Sequence, residues 1–172
     1  MKRIGVLILV ASVACSADDG SNDAAVDGET QAQTEGTESE AQGGTVRLTF
    51  TVPNGVRESP NLVSPLTGSV YGSLFLSEDV AATGPVEGAV EQASVEVTGV
   101  DIENVDVSAA AWTSEPLPPG DYTFLGFFDL NGNGTENYEP DGGDPATLPS
   151  VNQFTIVEGE ETEFVVSFDL VL

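Results

Sequence analysis

The sequence predicts an all-β fold, a sandwich of seven strands over residues 45–172. Three observations predict it. Apolar residues in this stretch recur at every second position, the period of a strand with one buried face. Seven such segments are separated by clusters of Gly, Pro, Asn and Asp, the residues that build turns. No segment holds a sustained helical period; the one competitor, residues 86–93, has Gly and Pro neighbours that keep any helix short.

The first strand places Val46, Leu48, Phe50 and Val52 on one face and Arg47, Thr49 and Thr51 on the other. A second covers residues 69–77, a third carries Val95 and Val97, and a fourth runs over 105–112. The fifth, residues 122–129, is apolar on both faces, with Tyr122, Phe124 and Phe128 on one and Leu125 and Phe127 on the other. Two apolar faces place it in the middle of its sheet. A sixth lies around Phe154 and Ile156. The seventh has the clearest alternation, Phe164, Val166, Phe168, Leu170 and Leu172 against Val165, Ser167 and Asp169.

Leu117-x-Pro119-Gly120-x-Tyr122 opens the fifth strand. The motif resembles the corner of prealbumin-like and Cna-B-like domains on bacterial surfaces. That resemblance implies a Greek-key antiparallel β-sandwich in which the Pro-Gly turn aims the chain into the sheet and the Tyr hydroxyl ties back to upstream backbone. It makes Tyr122 a fold-stabilising residue and not a catalytic one. Over residues 45–112 the resemblance rests on strand spacing alone.

The N-terminus reads as an address. Met1-Lys2-Arg3 is a positive start, Ile4 to Val10 an apolar stretch broken by Gly5, and Ser12-Val13-Ala14 a run of small residues before Cys15. A bilayer span needs about 20 apolar residues, and this stretch is shorter. Residues 1–14 therefore read as a cleaved signal peptide. Ending at a Cys, they resemble the lipobox of bacterial lipoproteins, with Ser12 standing where that family prefers an aliphatic residue. The resemblance implies that Cys15 becomes the first mature residue and carries acyl chains, two of which suffice for stable anchoring. An ordinary secretory signal with Cys15 as a passenger is the alternative. Ser16, not Asp, follows the Cys, and by analogy with enterobacterial sorting this favours the outer membrane. Residues 15–44 are rich in Asp, Glu, Gly, Ser, Thr and Gln, with Val26 as the one large apolar residue, and so predict a flexible acidic linker.

Charge excludes one class of partner. The chain carries four basic and 29 acidic residues; without Lys2 and Arg3, two arginines face those 29 acids, a formal −27. Such a surface repels phosphate backbones, so nucleic acid is excluded. One Cys forbids an internal disulfide. The absence of His removes the commonest general base and every standard Ser or Cys triad.

One constellation carries chemistry. After the fifth strand come Asp129, Asn131 and Asn133 at alternate positions, then Gly134, with Glu136, Glu139, Asp141 and Asp144 behind. Calcium takes six to eight hard oxygens, and this spacing with Gly lets a tight loop turn three side-chain oxygens toward one point. The start matches the Asp-x-Asn-x-Asn-Gly pattern of EF-hand loops and of calcium loops on other folds. As an EF-hand it fails, because Pro140 stands where the bidentate Glu belongs. The candidate metal ligands are Asp129, Asn131, Asn133, Glu136 and Asp141, with calcium as the ion and Glu139 or Asp144 as alternative later acids. The competing reading is a polar hairpin loop in which the Asn-Gly pairs merely turn.

Three function classes follow. The first is a non-enzymatic, membrane-anchored surface lipoprotein, a structural or adhesion module stabilised by calcium in a rigid domain without a deep cleft, facing an unidentified envelope protein or glycan. The second is a carbohydrate- or peptide-binding module with Trp112, Tyr71 or Tyr138 as an aromatic platform, although alternation assigns Trp112 to the core. The third is a hydrolase using paired carboxylates, for which the sequence offers no nucleophile motif.

Overall fold

A computed structural model describes residues 43–103, 110–134 and 138–172. The signal peptide, Cys15 and nearly all of the linker lie outside these residues, as do Glu136 and most of the fourth predicted strand. The alternation at the start of the domain becomes β1 (Thr45–Thr51), in which Val46, Leu48 and Phe50 are buried and Thr45, Arg47, Thr49 and Thr51 are half-buried. One helical turn, α1 (Asn54–Arg57), precedes β2 (Thr67–Leu76). The tiny hairpin β3 (Val80–Ala81) and β4 (Gly84–Pro85) leads to β5 (Ala93–Asp101) through turns that replace the candidate helix at 86–93. Then come β6 (Trp112–Thr113) and the long β7 (Gly120–Asp129). The short β8 (Pro145–Ala146), β9 (Gln153–Ile156), β10 (Glu161–Ser167) and β11 (Leu170–Val171) complete the domain.

The fold is an all-β sandwich. One sheet has the order β10-β1-β6; the other runs β11-β8-β7-β2-β5, with β9 also paired to β7. The doubly apolar β7 is central, as its composition requires. It pairs with β2 along eight residue pairs, from Ser69↔Asp129 to Leu76↔Tyr122, and its other edge takes β9 and then β8. Between the sheets Phe168 stacks on Phe50 at 6.2 Å and on Phe128 at 5.8 Å, so one ring from the last segment ties both layers together.

Two features depart from the simplest reading of the alternation. The β1–β10 pairing is parallel, from Thr45↔Glu161 to Thr51↔Ser167. Strands from opposite ends of the domain share no hairpin, so no turn forces them antiparallel. The seventh segment is also not one strand. It breaks at Phe168–Asp169 and crosses from the smaller sheet to the larger, leaving Phe168 in the core and Leu170 and Leu172 exposed. The period of two runs through the crossing unchanged, so the sequence carries no mark of it.

The corner at the start of β7 forms as its motif implies. Tyr122 is fully buried, and its hydroxyl donates to the Pro118 carbonyl at 2.8 Å. The ring stacks on Phe154 at 6.2 Å, and burial pushes the phenol pKa up. Tyr122→Phe keeps the ring and removes the donor, so urea denaturation should show a loss of about 1–2 kcal/mol with an unchanged m-value. An unaltered midpoint would show that the bond contributes nothing.

Candidate metal centre and the groove beside it

Asp129 closes β7 with its side chain wholly buried. One carboxylate oxygen accepts from the Gly132 N–H at 2.8 Å and the other from the Gly134 N–H at 2.9 Å. Gly132 has φ +80°, a left-handed turn that explains the residue type. Two residues on, the Asn131 side-chain oxygen accepts from the Asn133 N–H at 3.1 Å, the local turn that Asn readily makes. Both Asn amide nitrogens then donate to one carboxylate, Asp141. Asp144, also fully buried, clasps the loop from behind, accepting from Leu130 N–H at 3.1 Å and Asp141 N–H at 3.2 Å.

The structure thus brings together Asp129, Asn131, Asn133 and Asp141 of the five sequence candidates. Asp144, in sequence one of several later acids, takes the buried position. The nearest signal is its place just before β8, where a side chain can reach back to the end of β7.

Electrostatics set the acids apart. The Asn133 and Asn131 amides hold the Asp141 carboxyl below its usual value. Burial raises that of Asp144, and repulsion from Asp141 and Asp129 adds to it against the two N–H bonds. A folded-state pKa above the unfolded value means that Asp144 favours the fold most when protonated, and that this contribution fades as pH rises through the folded value. Above that folded value the ionised Asp144 costs the loop stability, and no arginine side chain is placed to offset it among the described residues. Of the two arginines in the domain, Arg57 is committed to the Val52 and Ile102 carbonyls, and Arg47 stands on β1 in the other sheet.

Among the described residues no group of three or more acidic side chains is placed to hold a metal ion as it stands, so a cation here would draw on the oxygen lone pairs left after the loop's own hydrogen bonds. Each carboxylate or amide oxygen has two lone pairs, so those of Asp129 and Asn131 keep one after accepting an N–H. Asn133 has its nitrogen toward Asp141 and must turn its amide over to offer oxygen.

The loop also walls a groove. On the outer face of the larger sheet, Tyr71, Phe127 and Ala146 form an apolar cluster separate from the core. Tyr71 lies 5.6 Å from Phe127, and Tyr138, from the far end of the loop, meets it edge-on at 5.5 Å. Tyr138 has φ +56°, an unfavourable conformation for a bulky residue. Beside these rings runs a groove of about 680 Å³. Glu91 and Glu96 line its β5 side, Leu148 and Leu170 its β8–β11 side, with Tyr138 and Pro140 supplied by the loop. Trp112, the third aromatic candidate, lies half-buried on β6 against the core, away from this face. Tyr71 and Tyr138 are 67 positions apart, and no sequence signal announces their contact.

Neither protein-family models nor curated proteins give a match to the chain. A solved structure of a leucine-rich repeat protein from Bacteroides thetaiotaomicron is similar at a TM-score of 0.38 and 12% identity. The similarity covers 77% of this chain and 14% of that one, so the chain spans a small part of that protein's length.

Proposed function

We propose that the protein is a non-enzymatic surface lipoprotein of the cell envelope, held in the outer membrane by acyl chains on Cys15, whose β-sandwich displays a calcium-ordered loop at 129–144. The observation that carries the calcium reading is the gathering of Asp129, Asp141 and Asp144 with two Asn side chains in the 129–144 loop, where burial, with repulsion from Asp141 and Asp129 added, raises the pKa of Asp144. A divalent cation would replace the Asn133 amide as the partner of Asp141 and offset that repulsion. The non-enzymatic reading is supported by the direction of the acids. Asp141 and Asp144 have opposed pKa shifts, the pattern of an acid–base pair, yet they face the amides of their own loop and do not line the groove. The N-terminal signal pattern and the single Cys at its end support export and anchoring.

Calcium titration with thermal melting tests the ion. Extracellular loops bind with Kd of about 10⁻⁴ to 10⁻³ M, so 10 mM calcium should stabilise by about 1.4–2.7 kcal/mol and raise Tm by several degrees. Asp129→Ala should abolish the response. An equal rise in both proteins would remove the site.

The second reading, a carbohydrate- or peptide-binding module, is favoured by the groove, where the exposed Tyr138 meets the buried Tyr71 and Leu148 and Leu170 add exposed apolar lining.

A further inference from the structure

We infer that the groove on the outer face of the larger sheet binds an extended peptide segment in which basic and apolar side chains alternate. The inference rests on the binding-module reading and names its ligand.

The two sides of the groove differ in chemistry. Glu96 stands on β5 directly across from Tyr71, and Glu91, just before β5, accepts from the Ser73 hydroxyl at 2.9 Å. Neither Lys nor Arg lines the groove among the described residues. On the opposite side Leu148 and Leu170 are 37% and 40% exposed, and Tyr138 is 63% exposed. The strand order β8-β7-β2-β5 separates the two sides by three strand spacings, about 14 Å. An extended chain lying along this trough sends successive side chains to opposite sides. A basic–apolar alternation would set two basic side chains against Glu91 and Glu96 and the intervening apolar ones against Leu148 and Leu170.

Charge excludes the nearer occupants. The linker at 15–44 and a second copy of the chain are both strongly acidic and are repelled by the same Glu91 and Glu96. A pyranose ring needs an open aromatic face on which to stack. Tyr71 and Phe127 are only 3% and 5% exposed, which leaves Tyr138 as the one accessible ring of the three. Exposed leucines and a floor of buried rings suit apolar side chains better than sugar hydroxyls.

The test uses the full chain and a fluorescein-labelled decapeptide of alternating Lys and Leu, followed by anisotropy at 0.15 M salt. Saturable binding is expected, weakened about tenfold in Glu91→Gln/Glu96→Gln and to a similar degree in Leu148→Ser/Leu170→Thr. Glu160→Gln/Glu161→Gln removes the same charge away from the groove and should leave affinity nearly unchanged. All three should melt near the parent temperature, since every side chain altered is exposed. Equal weakening in the remote pair, or equal binding of a Ser–Lys decapeptide, would reduce the effect to the overall field and overturn the inference. Absence of peptide binding would overturn it too. If chito-oligosaccharides bound instead and Tyr138→Gly abolished that, the binding-module reading would stand while the peptide ligand fell.

Discussion

Asn152→Asp is expected to destabilise the domain by about 3–5 kcal/mol at neutral pH, a large part of the roughly 5–15 kcal/mol that holds a typical domain folded. Asn152 is fully buried just ahead of β9. Its amide nitrogen donates to the Ser167 carbonyl at 2.9 Å and the Leu148 carbonyl at 3.2 Å, and its oxygen accepts from the Ser167 N–H at 2.8 Å. Ser167 is the last residue of β10, after which the chain changes sheets, so one side chain acts as the missing neighbouring strand at the crossing. An Asp of nearly the same shape turns a donor into an anion facing two carbonyls. Protonation restores a single donor, so the loss should shrink as pH falls through the raised folded-state pKa of the new Asp toward its unfolded value of about 4. Guanidinium denaturation at pH 7 and pH 4 measures both effects. A loss below about 1 kcal/mol at pH 7 would show that the crossing does not depend on this amide.

That crossing marks the limit of what alternation reveals. β1 and β7 were legible because each side chain's face follows from its parity once one face is apolar, and burial in β1 tracks the sequence position by position. The corner was legible because its turn chemistry is local, a Pro-Gly followed two residues later by a Tyr whose hydroxyl reaches only four residues back. The parallel β1–β10 pairing joins residues 116 positions apart and leaves no local trace. Asn152 was illegible for the same reason. In sequence it is a polar residue near a Pro-Ser turn, and only the folded chain brings Ser167 to it.

The candidate loop divides in the same way. Asp129, Asn131 and Asn133 were readable because alternate short polar side chains before Gly have a fixed local geometry. The later acids were not, since Asp144 returns to the loop through its place just before β8. The groove was least legible. Its rings come from β2, β7 and the loop, and its acids from the β5 side, so its composition exists only after the sheet has formed.

Gly126→Ala should lower stability by about 3 kcal/mol, and Tm by roughly 10 °C, although Gly→Ala in a strand normally gains a few tenths to 1 kcal/mol from reduced unfolded-state freedom. Gly126 pairs with Gly72 across β7 and β2, and the Phe124 ring lies over both. A Cβ at Gly126 would fall 2.4 Å from the Tyr71 carbonyl oxygen and 2.7 Å from the Phe124 ring. The strand cannot slide away. Its other edge is fixed by Thr147, whose hydroxyl accepts the Gly126 N–H at 2.9 Å and whose own N–H donates to the Gly126 carbonyl at 3.0 Å. Relief must therefore come from moving Phe124, a fully buried ring, or from parting β7 and β2, which form the floor of the groove. Thermal melting of Gly126→Ala measures the cost, and the Lys–Leu peptide measures whether the floor has moved. A variant as stable as the parent would mean that β2 and β7 are not packed around that ring as closely as the glycine pair implies.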